Sequence, residues 1–182
     1  SLDALNADLI GIAFSWASSK GYYLTLPDNR MEVLRLLEPF KVFFEDPGIE
    51  KIGHNLKYDF KVLRNYGITV KAPFFDTMVA HYLINPDMRH NMNILSETYL
   101  NYSPQSMIEL IGKKGKNQGN MREVDLTKQT EYAVEDADIT FQLKQHFQKE
   151  LKDVNATKLF QEVELPLVDV LTSMEAEGIN LN

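Results

Sequence analysis

The stretch Gly53-His54-Asn55-Leu56-Lys57-Tyr58-Asp59 joins a short strand candidate to the start of an amphipathic helix. The run from Ile49 to Gly53 predicts the strand, and Leu56, Phe60 and Leu63 recur on one face of the helix that follows. Asn55 is of a residue type suited to cap that helix. A strand end that meets a helix start is the usual ligand site of an open α/β sheet. We therefore expect functional side chains in this stretch.

The residues on the N-terminal side of this junction predict a hairpin and a helix. The apolar runs Leu9–Trp16 and Gly21–Leu26 are separated by a turn-like connector, which is typical of two antiparallel strands. Asn29 predicts the start of a helix, which Pro39 interrupts and Asp46-Pro47-Gly48 ends. The order β-β-α-β-α indicates an α/β fold with a mixed sheet.

The residues on the C-terminal side predict mainly helices, separated by one long polar loop. The expected elements are a helix starting at Asp76, a short helix from Asn91 to Tyr99, a loop from Asn101 to Asp125, a long helix capped by Thr127 and reaching about Leu151, and a helical segment from Ala156 to Gly178 that Pro166 kinks or breaks. Proline produces such a break because it lacks a backbone N–H and clashes with the preceding turn.

Composition restricts the possible functions. The chain has 182 residues, a net charge of −7 and no cysteine, which excludes disulfides, thiolate zinc sites and a cysteine nucleophile. No apolar run has the length of a membrane span and no leader pattern opens the chain, so we expect a cytoplasmic protein without membrane contact. The acidic balance argues against coating of duplex DNA. Either nucleic acid is not a partner, or a local basic surface makes the contact while some acids hold cations.

Acidic residues stand in apolar surroundings at two places. Asp59 borders the apolar helix face, and its ordinary interpretation is a solvated or lysine-paired carboxylate. Tyr132 and Asp136 lie one helical turn apart, on the same face. Glu135, Asp136 and Asp138 fall within four residues and repel one another unless a divalent cation lies among them. We expect Glu135 and Asp138 to face solvent, and we favour a functional role for Asp136.

Basic residues cluster beside these acids. They are Lys113, Lys114, Lys116 and Arg122 in or after a mobile loop, and Lys57, Lys61 and Arg64 along the helix of Asp59. The loop is either a solvated linker or a phosphate contact. The four histidines, at positions 54, 81, 90 and 146, show no metal-ligand spacing, and we expect them to be structural or exposed. Glycine-rich phosphate loops and serine hydrolase elbows are absent from the sequence.

Two of these clusters resemble motifs of the DnaQ-like 3′→5′ exonucleases. The segment from Asn55 to Asp59 resembles the second exonuclease motif, and the segment from Tyr132 to Asp136 resembles the third, Y-x-x-x-D. Each motif alone is only moderately specific for these exonucleases. The two motifs together, in this order, are a strong indication of the resemblance. Further segments resemble the proofreading domain of bacterial DNA polymerase I, a family A polymerase: Phe75-Asp76-Thr77-Met78, Arg89-His90 and Gly115-Lys116-Asn117-Gln118. The segments Glu164–Val168 and Met174–Ile179 resemble the start of the polymerase domain, which disfavours a ribonuclease D-like, RNA-processing exonuclease.

The resemblance implies a ribonuclease H-like mixed sheet flanked by helices. It places an exonuclease domain at residues 1–155 and the start of a polymerase domain at residues 156–182. It also implies that a central strand ending in Asp-x-Glu, the first motif, precedes Ser1, between the Leu9–Trp16 strand and the Ile49–Gly53 strand. We therefore expect this fragment to lack its first strand, to be nearly inactive and to be prone to edge-to-edge self-association.

The resemblance also implies a mechanism and its residues. Two divalent cations, Mg²⁺ or Mn²⁺, would bind at the 3′ end of a single DNA strand, and we expect this fragment not to retain them. Asp136 and Asp59 would be the metal ligands, with Tyr132 as the third catalytic residue, which orients the attacking water. Asn55, Tyr58, Arg89, Lys113, Lys114 and Lys116 would contact the DNA. The polymerase domain would be a partner in cis. The alternative is a vestigial domain that serves the polymerase only as a structural module.

Overall fold

The computed structural model describes residues 3–113, 115 and 118–178, which form two small sheets flanked by helices. The first sheet is an antiparallel hairpin of β1 (Gly11–Ala17) and β2 (Lys20–Thr25). The second sheet pairs β3 (Lys51–Gly53) in parallel with β4 (Phe74–Asp76). The predicted hairpin, the predicted strand before His54 and the α/β class are thus confirmed. Within the described ranges β1 and β3 do not pair with each other.

The long helix α6 (Leu126–Asp153) connects the two sheets. In its first half, Asp138 accepts a 2.8 Å hydrogen bond from the backbone N–H of Ser19 in the hairpin turn. Further along, Lys144 forms a 2.9 Å ion pair with Glu50, just before β3. The face towards the core buries Ile139, Leu143, Phe147 and Leu151. Each such side chain contributes roughly 1.5–3 kcal/mol when it is fully buried.

The start of α6 differs from the prediction. Its N-cap is Asp125, whose carboxylate accepts hydrogen bonds from the backbone N–H groups of Thr127 and Lys128, at 3.0 and 3.4 Å. Thr127 lies inside the first turn, so its assignment as the cap was wrong. A carboxylate at this position both accepts from the unpaired N–H groups and faces the positive end of the helix dipole.

Helix α1 (Arg30–Glu45) begins and ends where predicted, but it lacks the predicted interruption. Asn29 caps it by accepting from the N–H groups of Met31 and Glu32. The predicted interruption at Pro39 is wrong, because the helix runs through this residue. Pro39 removes one backbone hydrogen bond, but Leu37 and Phe44 are buried on either side of it and hold both halves on the same core.

The remaining helical elements position the candidate site and the C-terminus. They are α2 (Leu56–Asn65), α3 (Thr77–Ile84), α4 (Met92–Leu95) with a π-helical turn (Ser96–Leu100), α5 (Met107–Ile111), a 3₁₀ turn (Met121–Glu123), α7 (Thr157–Leu159), a second π-helical turn (Phe160–Glu164) and α8 (Leu165–Glu177). The predicted helical segment is confirmed, but it is continuous from Thr157 to Glu177: the π-helical turn passes directly into α8, and Pro166 stands in the first turn of α8, where a missing N–H is tolerated. The loop predicted from Asn101 to Asp125 contains α5 and the 3₁₀ turn. No helix in the described part of the chain has both the length and the apolar character needed to cross a membrane.

Candidate active site

The buried carboxylate of Asp76 caps two helices at once. Its Oδ1 accepts hydrogen bonds from the N–H groups of Met78, at 2.9 Å, and Val79, at 3.3 Å, in the first turn of α3. The same carboxylate accepts from the N–H groups of Asn55, at 3.1 Å, and Leu56, at 2.7 Å, at the start of α2. The parallel pairing of Gly53 with Asp76 brings these two strand ends side by side. Asp76 therefore fixes the stretch that carries the candidate site.

Asn55 lies at the N-cap position of α2 without capping it. Its side chain makes no capping hydrogen bond, and it is Asp76 that accepts from the N–H groups of Asn55 and Leu56. The predicted capping role of the Asn55 side chain is therefore wrong. Its backbone is left-handed, with φ 65° and ψ 53°, a conformation that asparagine adopts more readily than most residues. This sharp turn fits a residue whose side chain is available for another task.

Asp59 is a carboxylate without a cation partner in the described ranges. It lies in the first turn of α2, and part of its side chain is exposed to solvent. Partial desolvation, followed by the negative charge of Asp76, raises the pKa of Asp59 to about 7. The alternative in which Asp59 is paired with a lysine is therefore wrong. A carboxyl group in this electrostatic environment is suited to bind a cation.

The basic side chains along α2, near Asp59, form ion pairs and hydrogen bonds with α8. Lys57 and Lys61 each form a 2.6 Å ion pair with a carboxylate oxygen of Glu175. Arg64 donates a 2.9 Å hydrogen bond to Ser173 and lies 3.8 Å from a carboxylate oxygen of Asp169. The positive charges of Lys57, Lys61 and Arg64 therefore face these C-terminal acids.

Tyr132 and Asp136 form a hydrogen-bonded pair on α6. Burial is the main cause that raises the pKa of Asp136 to about 6, while the hydrogen bond from Tyr132 acts in the opposite direction. Burial and the neighbouring carboxylates raise the pKa of the Tyr132 hydroxyl, which keeps it protonated. The hairpin approaches this turn so closely that a Cβ atom on Gly21 would lie 2.6 Å from Cγ1 of Val134. The hydrogen bond to Asp136 holds the Tyr132 hydroxyl next to that carboxylate.

The other acids of this turn have structural partners. Glu135 accepts hydrogen bonds from the hydroxyl of Tyr102 and, at 2.8 Å, from the N–H of Gln105. Asp138 accepts from the N–H of Ser19, as described above, and from the side chain of Gln142. The expectation that both acids simply face solvent is wrong, because each fixes a loop to α6. Asp136 is the acid of this cluster that remains for chemistry.

The two candidate metal ligands come from different elements. Among the described residues, no hydrogen bond or ion pair joins Asp59 to Asp136, and no group of three histidines or acids is arranged to hold a metal ion. Both donors are carboxylates with raised pKa values, a type of ligand that suits Mg²⁺ or Mn²⁺. The residues therefore fit such an ion in donor chemistry. That Asp59 and Asp136 lie close enough to share a pair of metal ions stays a prediction.

The candidate DNA contacts are distributed over three segments. Tyr58 follows Asn55 on α2 and is half-buried, and burial and nearby carboxylates raise the pKa of its hydroxyl. Arg89 is exposed in the loop between α3 and α4, and Lys113 is exposed just after α5. Lys114 and Lys116 lie outside the described residues. Tyr58 therefore adjoins Asp59 directly, whereas Arg89 and Lys113 come from separate loops.

Arg122 has a structural role that the sequence did not indicate. Its guanidinium forms a 2.7 Å ion pair with Asp28 and donates hydrogen bonds to the backbone carbonyls of Leu26, Leu9 and Pro27, at 3.1 to 3.4 Å. It thereby ties the end of the long loop to the base of the hairpin. The suggestion that Arg122 belongs to a phosphate-binding group is therefore not supported.

Three histidines gather although they are scattered in the sequence. His81 is fully buried; its Nδ1 lies 2.7 Å from Nδ1 of His90, and its Nε2 lies 2.9 Å from the hydroxyl of Tyr99. Nδ1 of His54 lies 2.9 Å from Oγ1 of Thr77. Burial, then the neighbouring His90 and His54, lower the pKa of His81 to about 4. Their structural role was anticipated, but the cluster was not, because its spacing follows no helical or strand period.

The chain belongs to the 3′-5′ exonuclease family, which matches residues 1–152. It is 37% identical over 186 residues to DNA polymerase I of Borreliella burgdorferi and 31% identical over 206 residues to DNA polymerase I of Rhizobium leguminosarum. Each alignment covers 100% of this chain and 20% of the relative, so the chain spans about a fifth of these polymerases. It is thus a nuclease domain of the 3′-5′ exonuclease kind found in bacterial DNA polymerase I.

Solved structures of other proteins share the fold of this chain. Brucella melitensis NrnC superposes with a TM-score of 0.78 at 20% identity, covering 98% of this chain and 81% of NrnC. A further structure of NrnC, with bound Mg²⁺, matches with a TM-score of 0.68 at 21% identity, over 87% of this chain and 71% of that one. The POL domain of Pol1 from M. smegmatis, in complex with DNA primer-template and dNTP, matches with a TM-score of 0.69 at 21% identity, covering 90% of this chain and 24% of that one.

Proposed function

We propose that this domain removes nucleotides from the 3′ end of a single DNA strand and so proofreads for a polymerase on the same polypeptide. The main support for this proposal is the pair of carboxylates Asp59 and Asp136. Both have raised pKa values, and neither has a cation partner in the described part of the chain. Two such acids are costly to ionise in the absence of a cation, and a divalent ion offsets that cost. Their segments are also those that resemble the exonuclease motifs.

The proposed roles follow from the chemistry of each side chain. Asp136 and Asp59 would hold the divalent ions. When bound, Mg²⁺ or Mn²⁺ would activate a water molecule and offset the charge that develops on the leaving 3′ oxygen. The hydroxyl of Tyr132, hydrogen-bonded to Asp136, orients the attacking water. Asn55 and Tyr58, beside Asp59, position the terminal nucleotides.

The remaining DNA contacts are proposed because the residues concerned are positively charged and exposed. Arg89 and Lys113 are exposed cations on loops, and they bind phosphates of the strand behind its 3′ terminus. Lys114 and Lys116 extend that contact. A contact of this kind strengthens binding without selecting a sequence, so it weakens as salt is raised.

The proposed division of the chain places the exonuclease domain at residues 1–155 and the start of the polymerase domain at residues 156–182. The family match to residues 1–152 and the similarity of the whole chain to polymerases support this boundary. We also propose a cytoplasmic location, which suits a cysteine-free protein that acts on bacterial DNA. The alternative of a purely structural module is disfavoured because Asp59, Tyr132 and Asp136 are all present.

The test uses the full-length product of the gene, with labelled single-stranded DNA and Mg²⁺. We expect Asp59→Ala and Asp136→Ala each to lower 3′-end degradation at least about 100-fold, since loss of several kcal/mol of charge stabilisation has this effect. Tyr132→Phe should cause a smaller loss, and polymerisation should be unchanged in all three variants. Asp87→Ala, at an exposed acid of the loop after α3, is the control. A wild-type protein without 3′-end degradation would favour the structural module, and faster degradation of RNA would favour an RNA-processing enzyme.

A further inference from the structure

The histidine cluster contains a series of two hydrogen bonds that begins at Tyr99 and ends at His90. The hydroxyl of Tyr99 lies 2.9 Å from Nε2 of the fully buried His81, and Nδ1 of His81 lies 2.7 Å from Nδ1 of His90. Each bond needs one donor and one acceptor, and a neutral imidazole carries only one N–H. The direction of the first bond therefore determines the direction of the second.

The tyrosine sets that direction. In the described residues the hydroxyl of Tyr99 has no acceptor other than His81, so its proton is donated to Nε2 of that ring. Burial is the main cause that lowers the pKa of His81 to about 4, so the ring is neutral and its single proton lies on Nδ1. This proton is donated to Nδ1 of His90, which must be free of a proton of its own, because two N–H groups cannot face each other at 2.7 Å.

His90 consequently carries its proton on Nε2, the other nitrogen of its ring. In the described part of the chain this atom has no hydrogen-bond partner, and the buried side-chain atom there that lacks one is Oγ1 of Thr157. Nε2 of His90 is therefore not buried, and it lies open to solvent on this half-buried residue. The cluster thus presents one N–H donor, whose proton is fixed from the inside, at the surface.

This donor lies beside two of the proposed DNA contacts. Arg89 directly precedes His90 and is exposed in the same loop. The backbone of His90 hydrogen-bonds to the ring of His54, which directly precedes Asn55. A neutral N–H next to a guanidinium group suits an oxygen that carries negative charge and accepts several hydrogen bonds, as a phosphate oxygen does.

We infer that Nε2–H of His90 donates a hydrogen bond to a phosphate oxygen of the DNA strand, and that His81 and Tyr99 are positioning residues that keep the proton on that nitrogen. The inference rests on the proposed function and adds a DNA contact to it. Because His90 accepts at Nδ1, its ring is neutral, and its contact strengthens binding without adding charge. Arg89, in contrast, contributes a charge and the salt dependence that comes with it.

The first experiment measures degradation of labelled single-stranded DNA by the full-length protein and by His90→Asn. The asparagine side-chain oxygen can take the place of Nδ1 and accept from His81, whereas no donor takes the place of Nε2. We expect KM to rise about tenfold or more, as for a lost hydrogen bond to a charged group, with kcat little changed. Asp87→Ala, at an exposed acid of the same loop, is the control.

Tyr99→Phe tests the positioning role and removes nothing but a hydroxyl group. Without that donor, the proton of His81 can move to Nε2, and the proton of His90 can then move to Nδ1. KM should rise, but less than for His90→Asn, and Tyr99→Phe should have no further effect on a protein that already carries His90→Asn. This comparison tests the inference also if the asparagine variant has a lowered melting temperature.

Two further measurements identify the group that His90 binds. KM should increase with salt at the same slope in wild type and in His90→Asn, whereas Arg89→Ala should reduce the slope. In the second measurement, a methyl group replaces one phosphate oxygen of the DNA at each linkage in turn. At the linkage that His90 contacts, wild type and His90→Asn should degrade the modified DNA with the same KM.

The outcomes separate this inference from the proposed function. A wild-type KM in both His90→Asn and Tyr99→Phe, in a protein that degrades DNA, would overturn the inference alone. A difference between wild type and His90→Asn that persists at every modified linkage would also overturn it, since His90 would then not bind a phosphate. A full effect of Tyr99→Phe on top of His90→Asn would refute the positioning role. A wild-type protein that degrades no DNA would refute the proposed function, and this contact with it.

Discussion

The carboxylate of Asp76, with only 1% of the residue exposed, accepts a 2.7 Å hydrogen bond from the backbone N–H of Leu56, the first residue of α2. Through this bond, the start of the helix that carries Asp59 is held at the end of β4. The residue that fixes the candidate site is therefore an acid about twenty positions further along the chain, rather than the neighbouring Asn55.

We predict that Asp76→Ala destabilises the domain by about 3 kcal/mol or more, because it leaves several backbone N–H groups without an acceptor at about 1–3 kcal/mol for each buried group. The free energy of unfolding in urea is the measurement. Asp87→Ala, which removes an exposed acid, should change it by less than about 0.5 kcal/mol. Equal losses for the two variants would contradict the double-capping role.

We predict that Asp59→Asn stabilises the metal-free domain above neutral pH. The pKa of folded Asp59 is raised to about 7 from an ordinary value of 3.8, so the folded state binds the extra proton between these values. Its contribution to stability is therefore lost as pH rises through about 7, and asparagine removes that loss. The melting temperature in EDTA should be a few degrees higher than that of wild type at pH 8 and equal to it near pH 4. Asp87→Asn is the control, and a difference that persists unchanged at pH 4 would argue against this explanation.

Binding of Mn²⁺ should be weak for residues 1–182 and should weaken further below pH 7. The ion competes with the proton on Asp59 and, below about pH 6, with the proton on Asp136. Calorimetric titration at pH 6 and pH 8 measures this. A longer chain that supplies an upstream strand ending in Asp-x-Glu should bind tightly and degrade single-stranded DNA from its 3′ end. Tight binding by residues 1–182 alone would mean that other residues complete the site.

The buried His81 should make the domain sensitive to acid. Its pKa in the folded state is lowered to about 4 from 6.5, so the unfolded chain binds more protons between these values. Stability is therefore complete above pH 6.5 and is lost as pH falls towards 4. His81→Gln removes this titration, and the slope of unfolding free energy against pH between 4 and 6.5 should become shallower. His146→Gln, at a half-exposed histidine paired with Glu150, serves for comparison.

Self-association through strand edges is a further expectation. In the described residues, β1 pairs with β2 alone and β3 with β4 alone, which leaves both outer edges of each two-stranded sheet without a further strand. Unpaired edges favour association with another chain. Size-exclusion chromatography with light scattering should show a concentration-dependent dimer of residues 1–182. A monomer at every concentration would contradict this expectation.

The sequence by itself determined the features that depend on residues close together in the chain. The hairpin, the start of α3 at Asp76 and the shared face of Tyr132 and Asp136 follow from strand alternation, capping preference and helical period. The motif resemblance also led from the sequence to the exonuclease family, which the family match confirms. These signals are local, so no knowledge of packing was needed.

Only the tertiary structure decided which distant groups are partners. In the folded chain, Asp76 accepts a hydrogen bond from the first N–H of α2, and Glu175 forms ion pairs with Lys57 and Lys61. The buried His81 has His90 as a hydrogen-bond partner. Each pairing joins groups that local pattern treats as interchangeable acids, lysines or histidines. What selects among them is the parallel register of β3 with β4 and the docking of α8 on α2, because an electrostatic or hydrogen-bonding partner is set by distance in space and not by separation along the chain.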